Sequence, residues 1–160
     1  MEKKNCCFTG HRVIPAAHLS ALTAHLDAAI EAMYRYGCRD FYTGGAIGFD
    51  TLAAERVLCY RESHADVRLI LMLPCRDQCT GWSAEDTAAY YRILNECDMY
   101  RYVSDAYDDR AMYRRNMELV GVSDACIAYV TRAASGAGQT LRAAEKSGLA
   151  TVNLALRFAK

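Results

Sequence analysis

Val67-Arg68-Leu69-Ile70-Leu71-Met72-Leu73 is a near-continuous apolar run closed by Pro74. A strand that is apolar on both faces needs cover on both faces, which is the situation inside a parallel sheet flanked by helices. Proline cannot donate to the ladder, so the strand stops there. Shorter β-compatible runs at Asn5–Thr9, Asp40–Thr43, Met99–Val103, Ala125–Val130 and Ala150–Leu154 alternate with segments of helical spacing. In the first of these, Leu19, Leu22, Leu26, Ala29, Ile30 and Met33 recur at helical intervals between Pro15, where a helix can begin, and Gly37, where one can stop. Ser83, three residues before Asp86, predicts a capped helix reaching about Cys97. Asp108 or Asp109 is placed to cap the next helix, which ends near Gly121. Strands alternating with helices throughout predict an α/β chain with a parallel sheet, helices on both faces, and one domain over residues 1–160.

With 160 residues, 52% of them hydrophobic, the chain can bury one ordinary core. Nineteen basic and nineteen acidic residues cancel, so no global field favours nucleic acid or an anionic membrane. Any nucleotide binding is therefore local, and nucleic acid is not an expected partner. Met1-Glu2-Lys3-Lys4 runs into the first strand without an apolar leader, and no run of about eighteen apolar residues occurs. A soluble, cytoplasmic protein without a membrane segment is expected. The eight cysteines lie mostly in apolar runs, as buried thiols do. Cys75 and Cys79 lack the partners a zinc site needs, and no metal is expected.

In doubly wound sheets, ligands sit beyond the carboxyl ends of the strands. Four segments follow strands here and should gather on one edge: Gly10 to Arg12, Gly44 to Gly48, Pro74 to Trp82, and Ser135 to Thr140. In Thr43-Gly44-Gly45-Ala46-Ile47-Gly48-Phe49-Asp50 a strand runs into a glycine turn that opens a helix. That turn either lets a phosphate approach the helix N-terminus or is a tight βα turn without a ligand. At the first strand end, Thr9, Gly10, His11 and Arg12 combine a hydroxyl, a turn glycine, an imidazole and a guanidinium. Arg12 either forks onto a phosphate or is a surface arginine. His11 reads as a loop or ligand contact rather than a proton carrier. Asp50 either caps its helix or receives a ribose hydroxyl, and Glu55 reads more readily as a salt-bridge partner than as a ligand group. Gln78 and Trp82 either read and stack on a purine or, for Trp82, fill a gap between helix and sheet. Arg115 and Asn116 face the ligand edge or the surface. Ser135, Gly136, Gly138 and Thr140 form a second candidate cradle.

The chain carries no Gly-x-Ser-x-Gly elbow, Walker lysine motif or HExxH, so no catalytic residue is assigned beyond weak candidates at Asp50 and Glu55. Taken together, Thr9-Gly10-His11-Arg12, Gly44-Gly45-Ala46-x-Gly48-Phe49-Asp50 with Ala53-Ala54-Glu55, Leu73-Pro74-Cys75 with Gln78 and Trp82, Arg115-Asn116 with Val120, and Ser135 to Thr140 resemble the YpsA-like branch of the SLOG superfamily. That superfamily also holds the DNA-processing protein DprA and the LOG phosphoribohydrolases. The resemblance implies a three-layer Rossmann-like α/β domain that binds a nucleotide-derived ligand at the strand ends, often self-associates, and serves as a sensor or signalling component. AMP, ADP-ribose or NAD-like molecules are the ligand class implied, and a homo-oligomer the assembly. Two departures stand out: Ser135-Gly136-Ala137-Gly138-Gln139-Thr140 replaces the usual Gly-Gly-Thr, and Gly121 stands where an acidic residue is common. The rival reading, cleavage of a nucleotide N-glycosidic bond, needs a carboxylate from Asp50 or Glu55, and the Pro-Gly-Gly-x-Gly-Thr-x-x-Glu signature of LOG enzymes is absent.

Overall fold

The computed structural model describes residues 2–158; Met1, Ala159 and Lys160 lie outside them. The elements in chain order are β1 (Lys4–Gly10), α1 (Leu19–Tyr36), β2 (Cys38–Thr43), α2 (Phe49–Arg61), β3 (Arg68–Leu73), α3 (Ala84–Glu96), β4 (Met99–Tyr102), α4 (Ala111–Gly121), β5 (Ala125–Tyr129), α5 (Gly136–Lys146) and β6 (Ala150–Asn153). Short 3-10 turns span Ala16–His18 and Leu154–Phe158. The six strands form one parallel sheet in the order β4-β3-β2-β1-β5-β6. This is the expected three-layer Rossmann-like arrangement.

Alternation along the central strands divides the core in two. Cys6 and Phe8 of β1, Leu69, Leu71 and Leu73 of β3, and Ala125, Ile127 and Tyr129 of β5 face α1, α2 and α3. Leu22, Leu26 and Ile30 of α1 close that side with Phe49 of α2. On the other side Cys7, Met72, Cys126 and Ala128 meet Leu119 and Val120 of α4 and Leu141 and Ala144 of α5. Each large apolar side chain so covered contributes about 1.5–3 kcal/mol.

Where helices start, local chemistry decides. Ser83 Oγ accepts the Asp86 N–H at 3.0 Å, as its spacing predicts. Before α4 the expectation needs correcting: Asp108 Oδ1 accepts the Arg110 N–H at 2.8 Å, so it caps the preceding turn, and the helix proper begins without a side-chain cap. The helix expected to begin near Pro15 begins instead at Leu19, after the 3-10 turn that Pro15 opens. At the last strand the side chain of Asn153 pairs with both the N–H and the carbonyl of Val130 and accepts the Ala155 N–H, which turns the chain away before Leu154.

Every cysteine is a free thiol, and Cys6, Cys7, Cys38, Cys75 and Cys126 are buried. Burial, aided by Asp77, pushes the Cys75 thiol up to about 11, so it stays protonated.

Candidate functional site

The chain builds β1 to β4 outward in one direction, then returns through α4 to place β5 on the other side of β1. The crossovers leaving β1 and β5 therefore diverge, and a crevice opens between their carboxyl ends. A cleft of about 400 Å³ lies there. Its walls are the segment from Thr9 to Val13, the α2 start at Ala46 and Asp50, Met112, Arg115 and Asn116 of α4, and Arg132 with Ser135 to Ala137 at the α5 N-terminus.

The first two loops are interlocked. Phe49 donates its N–H to the His11 carbonyl at 3.1 Å. Gly48 holds φ +82°, a conformation L side chains rarely adopt, and a Cβ there would overlap the Arg12 carbonyl. Likewise a Cβ on Gly10 would overlap the Phe49 ring, which is buried edge-on to Phe8 and stacked on Tyr129. The space above Gly44 is taken by the Arg115 guanidinium, and a Cβ on Gly45 would fall 2.6 Å from Leu73 Cδ2. The glycines of this turn thus admit the chain's own groups, and Gly44, Gly45 and Gly48 do not line the cleft.

Charge on the cleft walls is uneven. Arg115 is only 5% exposed; its guanidinium donates to the Gly44 carbonyl and to Asn116 Oδ1 (2.7 Å). Asp50 is 7% exposed and its Oδ2 accepts the Ala46 N–H at 3.2 Å, so it ties down the glycine turn rather than capping α2. Burial pushes the Asp50 carboxyl up, against the pull of Arg115, the Ala46 N–H and Arg12. Arg12 and Arg132 are exposed. Eight arginine–carboxylate pairs occur among the described residues, and none includes Arg12, Arg115 or Arg132. The α5 N-terminus adds its dipole, with Ser135 Oγ accepting the Gly138 N–H at 2.9 Å.

His11 stitches the cleft across the switch point. Its Nε2 accepts the backbone N–H groups of Thr131 (2.8 Å) and Arg132 (3.3 Å), which fixes the proton on Nδ1. Burial and the nearby Arg132 hold it below the usual imidazole range. A histidine lowered in the folded state stabilises fully above its unfolded value, and that contribution is lost as pH falls through the folded one. Stability should therefore decline as pH drops below about 6.5. Urea midpoints from pH 8 to pH 5 should show a shallower decline in His11→Gln than in the parent; parallel curves would exclude His11 as the source.

Thr9, Gly10, His11, Arg12, Asp50, Arg115, Asn116, Ser135 and Gly136 come together at the cleft. Gln78 instead donates to the Gly44 carbonyl at 3.4 Å behind the turn. Trp82 packs edge-on to Tyr90, with ring centroids 5.6 Å apart, against the core. Gly138 sits where a Cβ would overlap the Ala133 carbonyl, and Thr140 Oγ1 donates within its helix to the Gly136 carbonyl at 2.9 Å. Glu55 pairs with Arg92 at 3.2 Å, away from the cleft. The sequence reading passed over Arg132; a basic residue just past the β5 end was the available signal, the same that singled out Arg12.

Fold and cleft together define a Rossmann-like α/β domain whose cleft lies at the β1/β5 switch point. A family model described as the YspA SLOG family matches residues 14–152, and the chain belongs to that family. It is 29% identical over 121 residues to the uncharacterised SPbeta prophage-derived protein YoqJ of Bacillus subtilis (strain 168), covering 68% of this chain and 71% of YoqJ. Among solved structures it resembles DNA processing protein A of Helicobacter pylori, described for its single-stranded DNA binding mode, with TM-score 0.66, 18% identity, and 92% of this chain covered. It also resembles DNA processing protein A of Streptococcus pneumoniae, with TM-score 0.64, 13% identity and 93% coverage. The matched region spans 63% and 49% of those two chains, and at such identity the likeness is one of fold.

Proposed function

We propose that the cleft binds a nucleotide-derived anion of the AMP, ADP-ribose or NAD type, and that the protein is a cytoplasmic sensor or signalling component rather than an enzyme. One observation carries this reading: among the described residues, three arginines without a carboxylate partner line one cleft together with the α5 N-terminus, while eight of the twelve other arginines are paired. A helix N-terminus flanked by unpaired guanidinium groups favours phosphate. Arg12 and Arg132 would meet the phosphate from the rim, with Arg115 as a fixed positive floor and the Asn116 amide beside it.

Of the two carboxylates the N-glycosidase reading could use, Glu55 is engaged by Arg92 and Asp50 lines the cleft, so that reading rests on Asp50. Self-association is supported by the uncovered β4 edge, where Tyr91, Met99 and Tyr100 are exposed. Sedimentation tests it, and a gel shift with single-stranded DNA tests whether the DprA likeness extends beyond fold.

Thermal unfolding against AMP, ADP, NAD and ADP-ribose decides the main claim. A ligand at a hundredfold excess over its dissociation constant adds about 2.7 kcal/mol of stability. The rise should vanish in Arg12→Ala/Arg132→Ala, whose unliganded melting temperature should stay within a few degrees of the parent. A flat response to every compound would overturn the proposal, and release of free base from AMP would replace the sensor with an enzyme.

A further inference from the structure

Asp50 is the carboxylate among the residues that line the cleft, and its setting is unusual. It is buried, its Oδ2 accepts one backbone N–H, and among the described residues no basic nitrogen lies within 4.0 Å of it. Arg115 sits on the same walls, but its guanidinium is committed to the Gly44 carbonyl and Asn116 Oδ1. Turning to Asp50 would give up both of those acceptors and leave the Gly44 carbonyl to the longer 3.4 Å contact from Gln78 alone. The carboxyl is therefore held by a backbone N–H and by positive charge at a distance, not by an ion pair.

We propose that anion binding in this cleft is coupled to proton uptake at Asp50, which is ionised in the free protein and neutral in the complex. The proposal rests on the cleft being an anion site. An anion entering beside Arg12, Arg115 and Arg132 cancels the field that holds Asp50 ionised, which favours the neutral acid. One proton moves from solvent to the carboxyl for each anion bound, and no other bond changes. The direction of the carboxyl's own equilibrium, pushed up by burial and held down mainly by Arg115, supports this.

The other groups facing Asp50 do not provide the same coupling. His11 and Arg12 come from the loop after β1, Cys7 from β1, Tyr90 from α3, Arg115 from α4, and Arg132 from the loop after β5. Tyr90 is pushed up beyond the physiological range by burial. Cys7 lies inside the sheet, paired with Cys126. The His11 Nε2 accepts two N–H groups that a proton would have to displace, and burial with Arg132 holds its titration below the usual imidazole range.

Sulfate is a suitable probe because it stays dianionic between pH 7 and pH 9, above the range in which His11 titrates. Calorimetric titration of the whole protein in two buffers of different ionisation enthalpy counts the protons taken up. Uptake approaching one per sulfate is expected, with affinity falling by up to about tenfold per pH unit. Asp50→Asn should bind sulfate about tenfold or more tightly than the parent at pH 8, with affinity flat across the range, because a buried negative charge has been removed. The proton count on the parent stands whether or not that variant folds. Sulfate binding without proton uptake would overturn this proposal and leave the anion site intact. Failure of sulfate to bind either protein would overturn both.

Discussion

Replacing Gly48 by alanine is expected to remove about 3–5 kcal/mol of folding stability, a large share of the 5–15 kcal/mol typical of a domain. Two costs combine. The residue must hold φ +82°, and its new methyl must displace the Arg12 carbonyl. That carbonyl lies in the segment from which His11 receives the Phe49 N–H, so relaxing the clash pulls the first loop off the second. Gly136 supplies the control: a Cβ there meets nothing within 4 Å, φ is not positive, and the position opens α5. Gly136→Ala should be neutral or stabilising by about 0.4–1 kcal/mol. Urea unfolding of the two variants beside the parent is the measurement. A loss below about 1 kcal/mol in Gly48→Ala would mean that the two loops are not locked together.

Arg115→Leu should cost about 1–3 kcal/mol, and the cost should depend on pH. Removing the guanidinium leaves the Gly44 carbonyl to the longer Gln78 contact alone and takes away the main positive charge that opposes the burial of Asp50. A carboxyl raised in the folded state supports folding when protonated, and that support is lost as pH rises through its folded value. Without Arg115 the folded value climbs further, so the penalty at pH 8 should exceed that at pH 5. Asp50→Asn should recover part of it. In a double-mutant cycle at pH 8, a coupling energy of at least about 1 kcal/mol is expected, and additivity within about 0.5 kcal/mol would show that the two buried groups do not sense each other.

What the sequence disclosed follows its local physics. The run ending at Pro74, the Ser83 cap and the stop at Gly37 are short-range effects, and each appears where its residues predict. Strand order is not short-range. Nothing between Met99 and Ala125 states that β5 returns to lie beside β1, yet that return decides which strand-end loops share a cleft. The Pro74–Trp82 segment illustrates the point: it follows β3, two strands from β1, and so Gln78 and Trp82 serve the back of the glycine turn and the core. Glycines are half legible for a related reason. Their spacing says that a Cβ does not fit, whereas the occupant of the space, Arg115 at Gly44, comes from seventy-one residues away. Arg132 carries a short-range signal, a basic residue just past a strand end, but that the end of β5 faces Arg12 across one cleft follows only from the strand order.

The contact between Gly10 and Phe49 also bears on how this chain can drift over generations. A methyl at position 10 has no room while a phenyl ring occupies position 49, and a small residue at 49 leaves a void between Phe8 and Tyr129 unless position 10 grows into it. The two sites are in effect one inherited choice, made in two separate loops. Lineages that lose the glycine should be found to have traded away the aromatic ring as well.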